Sequence, residues 1–468
     1  MTAQTPVSTA DDPYRVTRAD IQDPPVGLVR SLRYLGPGML MSAAVVGSGE
    51  LIATTALGAE VGFALLWLVV FSTLVKVVVQ MELARWTILT GTPALSGYNT
   101  VPPRIGRIGW INVLWMIMAC AKILQLGGIV GGVAAACSLL WPIVGEPLSF
   151  TSTAVWTVLL VAVTIACMYT NRYSRIERVG FVMVVTFTVS IVVIALGLPL
   201  TPFAYDAGDV ASGLSLAIPV GAVGAAVAMF GLTGVGADEM TTYTYWCLEK
   251  GYARWAGPAD GTPEWRDRAR GWIKVMQKDA MMSWIVYTCS TMSFYVMGAA
   301  ILHPQGLVPE GNDMIVTLSR VYTDVLGEWA SVLFLIGAIA VLGSTMWAST
   351  ASNPRLYTNM LSLLGVLDWQ DPRARQRSIR VLTVLLPTVW GLSFLFLQSP
   401  VLMVQIGGIM GGCFLVAVVA AVWYLRRRDI EPELRGGPWL ATALTVSSVA
   451  ICALGVYTIA QTLGFGVG

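Results

Sequence analysis

Runs of about 20 predominantly apolar residues, each long enough to cross the ~30 Å hydrocarbon layer as an α-helix, recur eleven times along this chain. They fall near 37–58, 63–84, 110–136, 152–170, 179–200, 219–245, 280–302, 328–349, 380–398, 400–425 and 439–463. A chain of 468 residues that is 56% hydrophobic and 12% charged cannot hide that much apolar surface in a soluble core. The expectation is an all-α polytopic membrane protein of about eleven transmembrane helices, with the lipid bilayer as its first partner.

The basic residues sharpen this count, because Lys and Arg collect in cytoplasmic loops. Taking the N-terminus as cytoplasmic, all of the 29 basic residues except Lys76, Lys122 and Arg320 fall in the tail or in alternate loops. The loops concerned carry Arg85, Arg104 and Arg107; Arg172, Arg175 and Arg178; the run from Lys250 to Lys278; Arg355 to Arg380; and Arg426 to Arg435. One helix more or fewer would scatter these charges over both faces. The expected location is thus integral to a plasma membrane, of bacterial type, with the N-terminus and the 247–279 loop inside and the C-terminal Gly468 outside.

The first 35 residues hold Asp11, Asp12, Asp20, Asp23 and Pro24–Pro25 without an apolar core. They read as a partly disordered cytoplasmic tail and not as a signal peptide. A net charge of +2 gives no reason to expect nucleic acid. Seven cysteines, mostly inside apolar runs and without a C-x-x-C pair, suggest neither a disulfide frame nor a metal knuckle. The 247–279 loop reads as a solvated connector. The sole histidine, His303, reads as an exposed loop residue beside Pro304. No nucleophile motif accompanies it, so neither an enzyme nor a cofactor is expected.

Two apolar stretches contain glycine clusters of the kind that interrupt a helix, which at membrane depth is tolerated only inside protein or along a cavity. The first stretch reads Gly47-Ser48-Gly49-Glu50, and the sixth, five spans later, Gly231-Leu232-Thr233-Gly234-Val235-Gly236-Ala237-Asp238-Glu239. Paired interruptions in corresponding members of two five-helix halves point to a transporter site at the interface of inverted repeats. Carboxylates inside a membrane are functional by default, so Gly47, Ser48, Glu50, Gly234, Gly236 and Asp238 are the candidate substrate contacts. Glu50 serves equally as an N-cap for the second half of the first helix, and Glu239 as the partner of a lysine. Lys76 and Lys122 are expected in internal ion pairs with buried carboxylates. Glycine runs at 127–132 and 407–412 are read as close helix packing.

The stretch Gly36-Pro37-Gly38-Met39-Leu40-Met41-Ser42, the break after it, and Gly62-Phe63-Ala64-Leu65-Leu66-Trp67 with Gln80 resemble the opening of the Nramp divalent-metal transporters. The likeness continues through Tyr173–Val179, Met346-Trp347-Ala348-Ser349-Thr350 and Gln405. It implies a LeuT-type fold: a first repeat over 36–200, a second over 219–425 that includes the 247–279 loop, and an appended helix in 437–468. The resemblance fails at the site. Family members carry Asp-Pro-Gly-Asn where this chain has Gly47-Ser48-Gly49-Glu50, and Met-Pro-His where it has Gly236-Ala237-Asp238. Gln125 and Gly128 stand for the acidic residues of the third helix, and Gln405 alone keeps a ligand position.

With Glu50, Asp238 and Gln405 as the candidate metal ligands and the family methionine gone, the expected substrate is a hard divalent cation of the Mg²⁺ or Mn²⁺ class. Proton coupling along the Nramp route is not expected without the helix-6 histidine. Gly47-Ser48-Gly49 also resembles the break of amino-acid transporters sharing this fold, and a small organic substrate whose amine meets Glu50 and Asp238 stays open as the alternative. A non-transporting sensor, a role that Nramp-like domains play in plant hormone signalling, would be expected to append a soluble domain. The sequence ends a few residues past the eleventh stretch. Oligomeric state is not legible.

Overall fold

The computed structural model describes residues 12–169, 173–219, 222–309 and 313–462. Arg172 and Gly468 lie outside them, as do the side chains of Ser48, Arg175 and Arg178 and those of Tyr173–Val179. The chain is helical almost throughout. The first expected span begins as α1 (Pro37–Val45), widens into a π-helical stretch (Val46–Thr54) and ends as α2 (Thr55–Val61). There follow α3 (Leu66–Thr90), α4 (Trp110–Leu140), α5 (Phe150–Tyr169) and α6 (Tyr173–Gly197). The sixth span is split into α7 (Val223–Leu232) and α8 (Ala237–Lys250). After these come α9 (Pro263–Met297), α10 (Ala330–Leu363), α11 (Pro372–Leu397), α12 (Pro400–Asp429) and α13 (Pro438–Thr462). Among the described residues, eight helical segments are long and apolar enough to cross a membrane. A two-stranded ribbon, Arg104–Ile105 with Ile108–Gly109, is the only sheet among them.

The two interruptions differ in kind. In the sixth span the backbone leaves the helix, whereas in the first it never unwinds: the α-helical ladder gives way to the wider π pattern, a form that often marks functional sites. Packing explains the difference. Gly47 lies against α10 so closely that a Cβ would meet Val341 O and Thr345, and Thr345 Oγ1 donates to Ala44 O at 3.0 Å. The start of α1 is fixed by a residue from another helix. Asp279 of α9 accepts from the N–H groups of Gly36 and Gly38 at 2.9 and 2.5 Å, satisfying donors that a helix start leaves free.

Helices α4 and α9 bury most of their surface, while α5, α11 and α13 bury least. Residues such as Val158, Val163, Phe396, Val449 and Val456 stay exposed there, an apolar exterior suited to lipid. At the centre the packing is backbone on backbone. A Cβ on Gly128 would come within 2.7 Å of Pro400 O, and one on Gly231 within 2.7 Å of Gly408 C, so α4 and α7 both lie directly on α12.

The alternate basic loops come together at one end of the bundle. Arg426 pairs with Glu82, which also holds Arg85 at 3.1 Å, and Arg85 reaches Leu434 O at 2.7 Å. Arg266 meets Glu431 at 2.8 Å, and Arg355 meets Glu249 at 2.5 Å. Two expectations are corrected at this end. The 247–279 stretch is not an open connector: α9 begins at Pro263, capped by Thr262, and buries Trp265, Trp272 and Met276. The tail is tied down from Asp12 onward, because it supplies partners that the bundle lacks. Asp12 forms a buried 2.5 Å ion pair with Arg375, Tyr14 donates to Glu249 at 2.6 Å, and Gln22 O accepts from Trp272 Nε1 at 2.9 Å.

Candidate substrate site

The break between α7 and α8 spans Thr233 to Gly236. Gly234 has φ +64°, in the left-handed region where a side chain is strained. The last turn of α7 leaves carbonyls without helical partners, and a buried lysine takes them. Lys76 of α3, with no exposed surface, donates to Phe230 O and, at 2.7 Å, to Thr233 O, with its ammonium 4.7 Å above the Phe230 ring. The expectation that Lys76 pairs directly with a carboxylate is corrected: its hydrogen-bond partners are main-chain oxygens, and Glu50 and Glu239 supply opposite charge from further off.

Glu50, also fully buried, lies in the π-helical stretch. Its Oε1 accepts from Gly234 N–H at 2.9 Å and its Oε2 from Thr54 Oγ1 at 3.1 Å. It caps a backbone, as one reading had it, but the backbone of the other interrupted helix. Glu50 and Lys76 thereby satisfy opposite sides of one break, one as acceptor and the other as donor.

Asp238 and Glu239 open α8, where the exposed N–H groups favour negative charge. Lys122 of α4 stands over both, 2.6 Å from Glu239 Oε1 and 3.9 Å from Asp238 Oδ2. The two carboxylates face a narrow recess lined by Val45, Met118, Lys122, Gln125 and six glycines, among them Gly234, Gly236 and Gly408. They also face a second narrow recess, lined by Met41, Ala44, Thr242, Trp246, Ser349 and Ser352. Both carboxylates line both recesses.

The structure thus gathers Gly234, Gly236, Asp238, Glu239 and Lys122 in one place. Gly47 and Glu50 stand outside the recess lining, in the wall behind it. Gln405 does not join them: it is exposed on α12, whose Gly407, Gly408 and Gly411 line the recess instead. Met118 was missed, so the recess holds a thioether after all; its position one helical turn before Lys122 was the available signal. Asp279 was missed too, since nothing local marks it as a distant cap. Among the described residues no group of three or more His, Cys, Asp or Glu side chains could hold a metal. A cation there would draw on Asp238 and Glu239, with Gln125, main-chain oxygens or water completing its shell.

The family described as natural resistance-associated macrophage protein-like (Nramp) matches residues 38–461. The chain belongs to the Nramp family. It is 24% identical over 452 residues to the divalent metal cation transporter MntH of Deinococcus radiodurans, a match covering 94% of this chain and 92% of that one. An uncharacterised protein of Pasteurella multocida is 24% identical over 359 residues, 74% of each chain. A mutant of the Eremococcus coleocola manganese transporter superposes with a TM-score of 0.63 at 15% identity, covering 97% of this chain and 93% of its own. The fold is accordingly of the LeuT type and the protein is an integral membrane protein. Within this Nramp-family chain, four of the positions that the resemblance marked as altered, Gly236, Ala237, Asp238 and Gln125, line the recess beside Lys122, whereas Gly47, Glu50 and Gly128 do not.

Proposed function

We propose that this Nramp-family protein is a secondary transporter for a hard divalent cation of the Mg²⁺ or Mn²⁺ class, bound at Asp238 and Glu239. The observation that carries the reading is this carboxylate pair at the start of α8, which lines both recesses beside the break. Oxygen ligands of this type suit hard ions, and the relative named as a divalent metal cation transporter agrees with it. An arriving ion competes with the Lys122 ammonium, which moves aside as the ion takes the carboxylates. Glu50 acts here through the break it holds. The basic end of the bundle faces the cytoplasm. Movement follows the gradient or the membrane potential, because the recess offers no histidine to relay protons near neutral pH.

A second reading has its own observation. The carboxylate pair already accepts one ammonium, that of Lys122, and the amine of a small organic solute would fit the same place.

Thermal unfolding of the purified protein separates the two, since a ligand stabilises by RT ln(1 + [L]/Kd). Mg²⁺ and Mn²⁺ are expected to raise the melting temperature of the parent but not of the Asp238→Asn, Glu239→Gln double variant. A shift with amino acids or amines and none with divalent cations would reverse the assignment. Vesicles loaded with a pH dye test coupling: substrate-driven acidification that Asp238→Asn abolishes would show a proton route.

A further inference from the structure

We infer that Lys76 is a tethered cation, filling with its own ammonium a monovalent-cation site that the broken end of α7 creates. The inference does not depend on which substrate the recess takes.

A helix that ends inside a membrane presents free carbonyls and the negative end of its dipole. Such half-helix ends coordinate cations in transporters built from discontinuous helices. In this protein the end of α7 offers Phe230 O and Thr233 O, with the face of the Phe230 ring above them. Glu50 lies just across the break on Gly234 N–H. Carbonyl oxygens, an aromatic face and a nearby carboxylate form a coordination shell for a small monovalent cation, and the Lys76 ammonium stands at its centre.

An ordinary buried ion pair does not account for this arrangement, because Lys76 has no carboxylate within 4.0 Å among the described residues. A fully buried ammonium without such a partner is tolerated only where other groups replace its hydration. The carbonyls do that, and the break is held against α3 so that they stay in place. Ser72 and Thr233 share a 2.8 Å hydrogen bond, and the Thr73 methyl group lies where a Cβ of Gly234 would be 2.9 Å away. The Tyr287 ring packs beside Gly234, and its buried hydroxyl has no hydrogen-bond partner among the described residues.

A cation on a side chain cannot cross the membrane. The site therefore supplies the charge of a bound co-ion without letting a sodium or potassium gradient drive the cycle.

The test uses the full-length protein in detergent, with melting temperature as the readout. Lys76→Ala is expected to melt well below the parent and to recover most of the loss, saturably, with propylammonium chloride, also in an Asp238→Asn, Glu239→Gln background that removes any amine site in the recess; 1-propanol and choline chloride are expected to give no such recovery, and in that background the protein with Lys76 intact is expected not to respond to propylammonium. Equal stability of Lys76→Ala and the parent would overturn the proposal, as would recovery by propanol. If Lys76→Ala does not fold, Lys76→Met with Glu50→Gln supplies the second arm. The double variant is expected to be more stable than the sum of the two single losses allows, and strict additivity would count against a shared site. The parent provides a third arm. Replacing Na⁺ by K⁺ or N-methylglucamine at constant ionic strength is expected to leave its melting temperature unchanged, and a specific Na⁺ stabilisation would show that the cation place is still open.

Discussion

Replacing Lys122 with leucine tests whether the carboxylate pair is a cation site held shut by its own lysine. Leucine keeps apolar bulk on α4 without adding sulfur to a recess that already contains Met118. The Lys122–Glu239 pair is 2.6 Å long, with side chains 11% and 21% exposed. Removing one partner from a buried pair costs about 3–5 kcal/mol, and the residual exposure places this one near 3 kcal/mol. Without its ion the variant is therefore expected to lose roughly 3 kcal/mol of stability, since Asp238 and Glu239 then face each other unneutralised. For an incoming divalent ion the same term changes sign, because no ammonium has to be displaced. At about 1.4 kcal/mol per tenfold, affinity for Mn²⁺ or Mg²⁺ is expected to rise roughly 100-fold. Thermal unfolding across an ion titration reads both effects, since ion at about 100 times its Kd returns about 2.7 kcal/mol. Calorimetric titration measures the Kd directly. A folded Lys122→Leu protein that binds divalent cations no more tightly than the parent would refute the reasoning; an increase confined to amines would favour the organic substrate.

Glu50→Gln keeps an acceptor for Gly234 N–H but removes the charge facing Lys76, and Glu50→Ala removes both. The expected order of melting temperatures is parent, Gln, Ala, the last destabilised by about 1–3 kcal/mol for the Gly234 N–H it leaves without a partner. Gly231→Ala drives a methyl group into the Gly408 backbone and is expected to prevent recovery of monodisperse protein, whereas Gly197→Ala, with open space around it, is expected to behave as the parent on size-exclusion chromatography. Arg375→Ala strands Asp12 in a buried position and is expected to release the tail, seen as faster proteolysis between Asp12 and Tyr34. A cysteine replacing exposed Asp260 is expected to resist impermeant thiol reagents added outside intact cells; labelling there would invert the topology.

The sequence makes the spans easy to see, because twenty apolar residues bounded by charge leave few alternatives in a bilayer. The helix-6 break is equally legible, since Gly231, Gly234 and Gly236 within six residues cannot sustain a helix without packing help. The first helix misleads for the complementary reason: Gly47 and Gly49 weaken it, but contact with α10 and the Glu50 hydrogen bond keep it wound as a π-helix. Gln405 shows the limit of weak similarity. On a helix advancing 100° per residue, a two-residue error moves a side chain to the far face, and Gly407 lines the recess where Gln405 does not. Lys76 was visible as a buried charge, but its partners are main-chain carbonyls, which carry no side-chain signature. The Asp12–Arg375 pair joins residues 363 positions apart, beyond any local pattern.

The contact of Gly231 with Gly408 and Gly412 bears on how such a molecule could change shape. Most helix interfaces interlock through side chains, and sliding one rod past the other requires knobs to leave their holes. Here two smooth backbones touch, so α7 has no teeth engaged with α12 at that point and meets little steric friction as it tilts or shifts lengthwise. The stiff connection lies elsewhere, in the Glu50–Gly234 hydrogen bond that yokes the break to the first helix. A displacement of α7 along its bearing on α12 would reach the first helix through that bond.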